Sequence, residues 1–163
     1  MKRLLLLLLC LLFALGCSAP EGAYRHARFA LVLPEGWERV REDGAVCFAP
    51  NGDPVRNSNI VFYATDKNYY FQTFDESDYM AYVSAYDTYE DIEVSDFETL
   101  RLDGWDAHRV TFFAVADQAQ IQIILYAVDA DMTYFFVLFE MEGDEVAASF
   151  DAAMQNVKIY PAD

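Results

Sequence analysis

Few side chains in this sequence are of types that do chemistry, and their spacing restricts what they can do. Two histidines occur, His26 and His108, too far apart in sequence to form a local ligand set, so no histidine metal cluster can be drawn. Acidic groups sit together at Asp75, Glu76 and Asp78 and again at Asp129 and Asp131, but neither spacing is that of an EF-hand loop. They read as solvated acidic surface, with Asp75 as a helix N-cap and Asp129 and Asp131 in a hairpin turn. There are three cysteines, Cys10, Cys17 and Cys47, and Cys47 alone lies in the body of the chain, which rules out a disulfide within it. It sits in the apolar run Ala45–Val46–Cys47–Phe48–Ala49 without a basic neighbour, and reads as a buried, unreactive thiol. The sequence carries no G-x-S-x-G, P-loop or dinucleotide fingerprint, so no cofactor is expected and no catalytic residue is assigned. A hydrolase using scattered carboxylates is the remaining enzymatic alternative.

The run Val128–Asp129–Ala130–Asp131–Met132–Thr133 resembles the nucleophile loop of haloacid-dehalogenase-type phosphatases. That resemblance implies a nucleophilic first Asp and an acid/base second one. It also requires a lysine and an acidic pair further on, carried by a parallel sheet. About thirty residues follow Thr133, with Lys158 their single lysine, too little chain for such a sheet. The turn reading is preferred.

Aromatic residues are more informative. The connection Asp66–Lys67–Asn68–Tyr69–Tyr70–Phe71–Gln72–Thr73–Phe74 concentrates four of them, Tyr69, Tyr70, Phe71 and Phe74. They form either a lid over the core or a recognition patch, because aromatic side chains dominate protein contact surfaces. As a recognition patch they are the candidate partner-binding residues, and an envelope protein is the expected partner.

The N-terminus suggests where such a partner resides. Met1–Lys2–Arg3 is a basic start, Leu4–Leu15 an apolar run too short to span a bilayer comfortably, and Ala14–Leu15–Gly16–Cys17 follows. This resembles a bacterial lipoprotein signal, with departures at Ala14, where Leu is usual, and at Leu15, where a small residue is usual. The resemblance implies cleavage before Cys17 and a diacylglyceryl thioether on it, and two acyl chains anchor a protein stably. The organisation expected is a signal peptide over residues 1–16, the lipidated Cys17 and a tether over 17–27, and one domain over 28–163. A tether of about ten residues reaches at most about 35 Å. The protein is expected at the bacterial cell envelope, on the outer face of the cytoplasmic membrane. Without Lys2 and Arg3 the chain keeps 9 basic against 27 acidic residues, a net charge of −18. That excludes nucleic acid as a partner and leaves the lipid on Cys17 as the link to the membrane.

The elements that must position these residues centre on Trp105–Met141. Three strands, Trp105–Val115, Ala119–Val128 and Met132–Met141, are separated by breaks too short for parallel crossovers, so they are antiparallel neighbours. Val110, Phe112 and Ala114 oppose Ala107, Thr111, Phe113 and Val115 in the first; Ile121, Ile123 and Leu125 oppose Ile124, Tyr126 and Val128 in the second; Phe135, Val137 and Phe139 oppose Tyr134, Phe136 and Leu138 in the third. Both faces are apolar and both need cover. Phe29–Leu33, Trp37–Arg41, Ala45–Ala49 and Asn59–Ala64 read as earlier strands, with a turn at Asp43–Gly44, and Ile92–Leu102 as an extended segment. Tyr79, Tyr82, Val83 and Tyr86 mark one face of a helix ending near Tyr89, a core stripe with its hydroxyls at the rim. Val146, Phe150, Ala153, Met154 and Val157 mark a second helix, and Lys158–Tyr160 a last short strand. The fold class predicted is α+β: an antiparallel sheet of six to seven strands with helices packed on its faces.

Leu33–Pro34–Glu35–Gly36–Trp37, the helix after the first strands, Leu102–Asp103–Gly104 leading into Ala107–His108–Arg109, and the closing helix together resemble the PsbP-like, Mog-type superfamily over Phe29–Tyr160. The resemblance implies an antiparallel sheet covered on both faces. Its members often act as non-enzymatic adaptors, assembly factors or lipoproteins, and it transfers no site residue. The function expected is a non-catalytic binding or assembly module; the alternative is a small-ligand binder with an apolar or aromatic pocket between sheet and helix.

Overall fold

A computed structural model describes residues 19–41, 45–54, 57–85 and 88–162. The signal segment, Cys17, the turn at Asp43–Gly44 and Tyr86 lie outside the described residues. In chain order the elements are β1 (Tyr24–Arg25), β2 (Phe29–Leu31), β3 (Trp37–Arg41), β4 (Val46–Pro50) and β5 (Asn59–Thr65); a 3-10 turn (Phe71–Thr73); α1 (Glu76–Ser84); β6 (Glu90–Leu102), β7 (Trp105–Ala116), β8 (Ala119–Asp129) and β9 (Thr133–Met141); and α2 (Ala147–Gln155) and β10 (Lys158–Ile159).

Seven strands form the main sheet in the order β3-β4-β5-β9-β8-β7-β6, with every neighbour antiparallel. The β6–β7 and β7–β8 hairpins are two-residue turns. Asp103 and Gly104 have φ of 49° and 87°, and Asp117 and Gln118 have φ of 51° and 68°. Left-handed backbone at both central positions matches the twist of the flanking strands, so such turns close hairpins without splaying them. Asp103 does more than turn the chain, since its carboxylate accepts from the Ile159 amide at 2.9 Å and from Lys158 Nζ at 2.8 Å.

The alternation read in β7–β9 is the alternation observed. Ile124, Tyr126, Val128, Tyr134, Phe136 and Leu138 join Phe48, Ile60 and Phe62 on one face, where Phe150 and Met154 of α2 cover them. Val110, Phe112, Ala114, Ile121, Ile123, Leu125 and Val137 face the other way, towards Phe71 and towards Tyr79 and Val83 of α1. Each fully buried large apolar side chain in these layers contributes about 1.5–3 kcal/mol. Glu140 accepts from the Val146 and Ala147 amides, satisfying donors at the start of α2 in place of a cap from Val146. Cys47 is 1% exposed, as its apolar run implies.

The N-terminal strands differ from expectation. Phe29, Ala30 and Leu31 of β2 are all fully buried. β2 leaves the main sheet to form a second one, in the order β1-β2-β10, packed on the α2 face. A strand covered on both faces has no polar side, and this removes the signal that would have placed it. The folded part also begins earlier than residue 28. Tyr24 pairs with Leu31, its ring lies 4.8 Å from that of Phe48, and the His26 ring lies 5.0 Å from that of Phe29. The chain between Cys17 and the first strand is thus about seven residues, and reaches about 25 Å at full stretch.

α1 ends at Ser84, short of Tyr89. Its start is as read: Asp75 accepts from the Ser77 and Asp78 amides, and Asp78 accepts from the Asp75 amide, a reciprocal capping box. β6 is longer than the segment expected and carries register shifts between Glu90 and Glu93 and between Val94 and Asp96. These bulges twist an edge strand rich in carboxylates, a device that discourages edge-to-edge pairing.

Candidate functional site

The aromatic loop is not the uniform patch that its composition suggests. Tyr69 is 87% and Tyr70 74% exposed, whereas Phe71 is 2% exposed. Phe71 is therefore core, and Phe74 is half-buried with its ring edge-on to Tyr79 at 5.7 Å. The reason is the 3-10 turn, which rotates Phe71 inward and leaves the two tyrosines outward. The loop is fastened to one end of the sheet at several points. The Asn68 amide donates to Thr133 Oγ1 at 3.1 Å, Gln72 Nε2 to Asp106 Oδ2 at 3.0 Å, and Lys67 Nζ to the Ala130 carbonyl at 2.8 Å. Lys67 also lies 3.5 Å from Asp129 Oδ1, a buried oxygen without a hydrogen bond.

His108 is the centre of that attachment. Phe71 stacks on its ring at 4.3 Å and 11°, Phe97 leans on it at 5.3 Å, and its Nδ1 lies 2.9 Å from the Tyr79 hydroxyl. Loop, helix α1 and strand β6 thus meet on one imidazole of β7. Burial pushes its pKa below 6.5; Asp106 and Asp129 pull the other way by less. The folded state then holds fewer protons than the unfolded one below about pH 6.5, so the contribution is whole above that pH and is lost as pH falls. His26, lowered by burial and then by Arg39 and Arg28, acts in the same direction. His108→Phe keeps a ring against Phe71 and removes the titration. Its melting temperature is expected to fall less than that of the wild type between about pH 7.5 and about pH 5.5; an equal fall would exclude His108 as the sensitive group.

Beside this cluster the same face is incompletely covered. Val61, Tyr63, Tyr82, Val83, Tyr89, Ile123, Leu125, Val137 and Phe139 line a cleft of about 280 Å³. Its floor is aliphatic, from β5, β9 and β8. At one end the rings of Tyr63 and Tyr82 are each near-parallel to that of Phe135, 4.9 Å and 5.9 Å between centroids, and their hydroxyls lie 2.5 Å apart. At the other end Tyr89 stacks on Phe139 at 6.2 Å and 16°. Of these residues, the sequence pattern marks Tyr82 and Val83 as a helix stripe, Ile123, Leu125, Val137 and Phe139 as a core face, and Val61 only as part of a strand. Tyr63 and Tyr89 carried no signal, because they join the cleft through pairings far apart in sequence.

Three carboxylates, Asp75, Asp131 and Asp151, have structural partners. Asp131 accepts from the Tyr134 hydroxyl at 2.5 Å, the Ala162 amide at 2.9 Å and Arg28 at 3.3 Å, which ties both ends of the domain to the β8–β9 turn. Burial raises its pKa, but these donors outweigh that and hold it below the ordinary value; the Tyr134 hydroxyl is pushed up to about 12, by burial first and then by Asp131. Asp75 is held low by the Ser77 hydroxyl and amide. Both shifts favour the anion, opposite to what a general acid needs. Asp151 takes a bidentate grip on Arg109, at 3.2 and 2.9 Å, and accepts from the Tyr126 hydroxyl at 2.7 Å, latching α2 to the sheet. Among the described residues no group of three or more His, Cys, Asp or Glu is disposed to hold a metal ion, and no helix is long and apolar enough to cross a membrane.

The backbone is similar to several solved structures. The solution structure of cyanobacterial PsbP (CyanoP) from Synechocystis sp. PCC 6803 matches with a TM-score of 0.62 at 14% identity, covering 85% of this chain and 91% of that one. LpqN, described as involved in cell envelope biogenesis of Mycobacterium tuberculosis, matches at 0.55 and 13%, covering 82% and 83%. A protein of unknown function from Pseudomonas aeruginosa, described as a putative regulator, matches at 0.55 and 15%, covering 86% and 97%. No protein-family model matches the chain, and no curated protein matches it. At these identities the likeness concerns architecture alone, and on that ground the chain has a PsbP-like α+β fold.

Proposed function

We propose that this protein is a non-catalytic binding module of the bacterial cell envelope. It is held by lipid on Cys17 at the outer face of the cytoplasmic membrane, and contacts an envelope protein through Tyr69 and Tyr70. The exposure of two adjacent tyrosines on a loop fastened at its base carries this reading. Tyrosine offers a large, stiff, amphipathic surface at low entropic cost, and a fastened loop loses little freedom on binding. The leader-like N-terminus supports the location, and the part that LpqN is described as playing in envelope biogenesis is consistent with it. The cleft favours a second, compatible role, uptake of a small apolar molecule.

The test places a photo-crosslinking aromatic amino acid at position 69 or 70 in cells, with the same substitution at the exposed Glu90 as control. A single envelope adduct from positions 69 and 70, absent from position 90, is the expected result. Adducts equal at all three positions, or none at 69 and 70, would remove these tyrosines from the interface.

A further inference from the structure

The cleft between α1 and the sheet has a composition that selects among small molecules. We infer that it binds an uncharged, flat, aromatic molecule of about two fused rings. This rests on the second reading above, that the cleft takes a small ligand, and is independent of Tyr69 and Tyr70.

Among the described residues the lining has no charged side chain. A charged ligand entering it would lose hydration that tyrosine hydroxyls alone replace poorly, and burying an unpaired charge is costly. The anion is disfavoured twice, since the chain without its leader carries a net charge of −18. An uncharged ligand meets neither obstacle.

The shape favours rings over a chain. From Phe135 to Phe139 along β9 is about 14 Å, and ring systems stand at both ends of that span. Tyr82 is parallel to Phe135 within 6°, and Tyr89 to Phe139 within 16°. Tyr63, Tyr82, Tyr89 and Phe139 are each half-buried, so part of every ring remains accessible. Between them lies an aliphatic floor of Val61, Leu125 and Val137. Aromatic rings at both ends of an aliphatic floor suit an aromatic guest, which gains ring–ring contact at its ends and dispersion contact on its face. An apolar cavity of about 150 Å³ accepts one benzene ring, and by that proportion a cleft of about 280 Å³ accommodates about two rings. The paired Tyr63 and Tyr82 hydroxyls lie at one end of the cleft, where one polar substituent of the guest, a carbonyl or an ether, would meet the polar part of the lining.

The test uses the full chain with methyl groups of Val, Leu and Ile labelled for NMR, and three probes: 2-acetylnaphthalene, 2-naphthoate and 1-decanol. Val61, Val83, Ile123, Leu125 and Val137 report on the cleft individually. Saturable upfield ring-current shifts at these methyls with 2-acetylnaphthalene are expected, with 2-naphthoate binding at least about tenfold more weakly. Val61→Phe, at a half-buried lining position, is expected to remove the shifts while the remaining methyl spectrum keeps its folded dispersion. Saturable perturbation by 1-decanol with none from the naphthalene would overturn the aromatic assignment and keep a ligand site for an alkyl chain. Naphthoate binding as well as the ketone would overturn the exclusion of charge. No saturable change with any probe would remove the ligand reading itself.

Discussion

Phe71→Ala is expected to destabilise the domain by about 3–5 kcal/mol, while Tyr69→Ser with Tyr70→Ser costs less than about 1 kcal/mol. Three neighbouring aromatic residues should thus differ severalfold in their effect on folding. Phe71 is 2% exposed and parallel to His108 at 4.3 Å, and its removal opens a void against an imidazole whose other neighbours are Phe97 and Tyr79. The void cannot close easily, because the Asn68 and Gln72 bonds hold the loop in place on either side. Tyr69 and Tyr70 lose only surface. Urea unfolding of the single and double variants measures both quantities. A cost below about 1 kcal/mol for Phe71→Ala would mean that the loop does not pack on His108, and would return Phe71 to the exposed patch.

Cys17→Ala is expected to move the protein from the detergent phase to the aqueous phase and to abolish labelling by a fatty-acid probe. Each buried methylene contributes about 0.8 kcal/mol to membrane affinity, so two acyl chains exceed any contribution from the acidic domain. With about 25 Å of reach before Tyr24, the anchor would also hold the folded part near the lipid surface. Partitioning that stays unchanged in the variant would mean that an uncleaved Leu4–Leu15 segment is the anchor.

What could be read from the sequence was what repeats along one strand or helix. Ile121, Ile123 and Leu125 face one layer, and Ile124, Tyr126 and Val128 the other, because alternation is local. Phe150 and Met154 were visible for the same reason. Features set by distant partners were not. Asp131 has the look of a turn residue, but meets Arg28 at a separation of 103 residues. Phe71 is indistinguishable by type from its neighbours, and only a 3-10 turn decides that it points inward. The cleft needs β5, β8, β9 and α1 at once, together with Tyr89 beyond the helix. Its aromatic walls arise from pairings that no window of sequence contains.

The small sheet has a consequence for the order of events in folding. β2 is sandwiched between a strand that begins at Tyr24 and one that ends at Ile159, with Phe29 opposite Ile159 and Ala30 opposite Lys158. The earliest part of the domain is therefore completed by its last. Contacts so remote in sequence form late, since the loop-closure entropy must be met before they return anything. For a chain delivered N-terminus first through a membrane, Phe29, Ala30 and Leu31 would stay uncovered on one edge until the C-terminus had emerged. The finished layer would be a record of complete delivery, and a chain truncated before Lys158 would display an apolar strand edge to whatever inspects proteins at that surface.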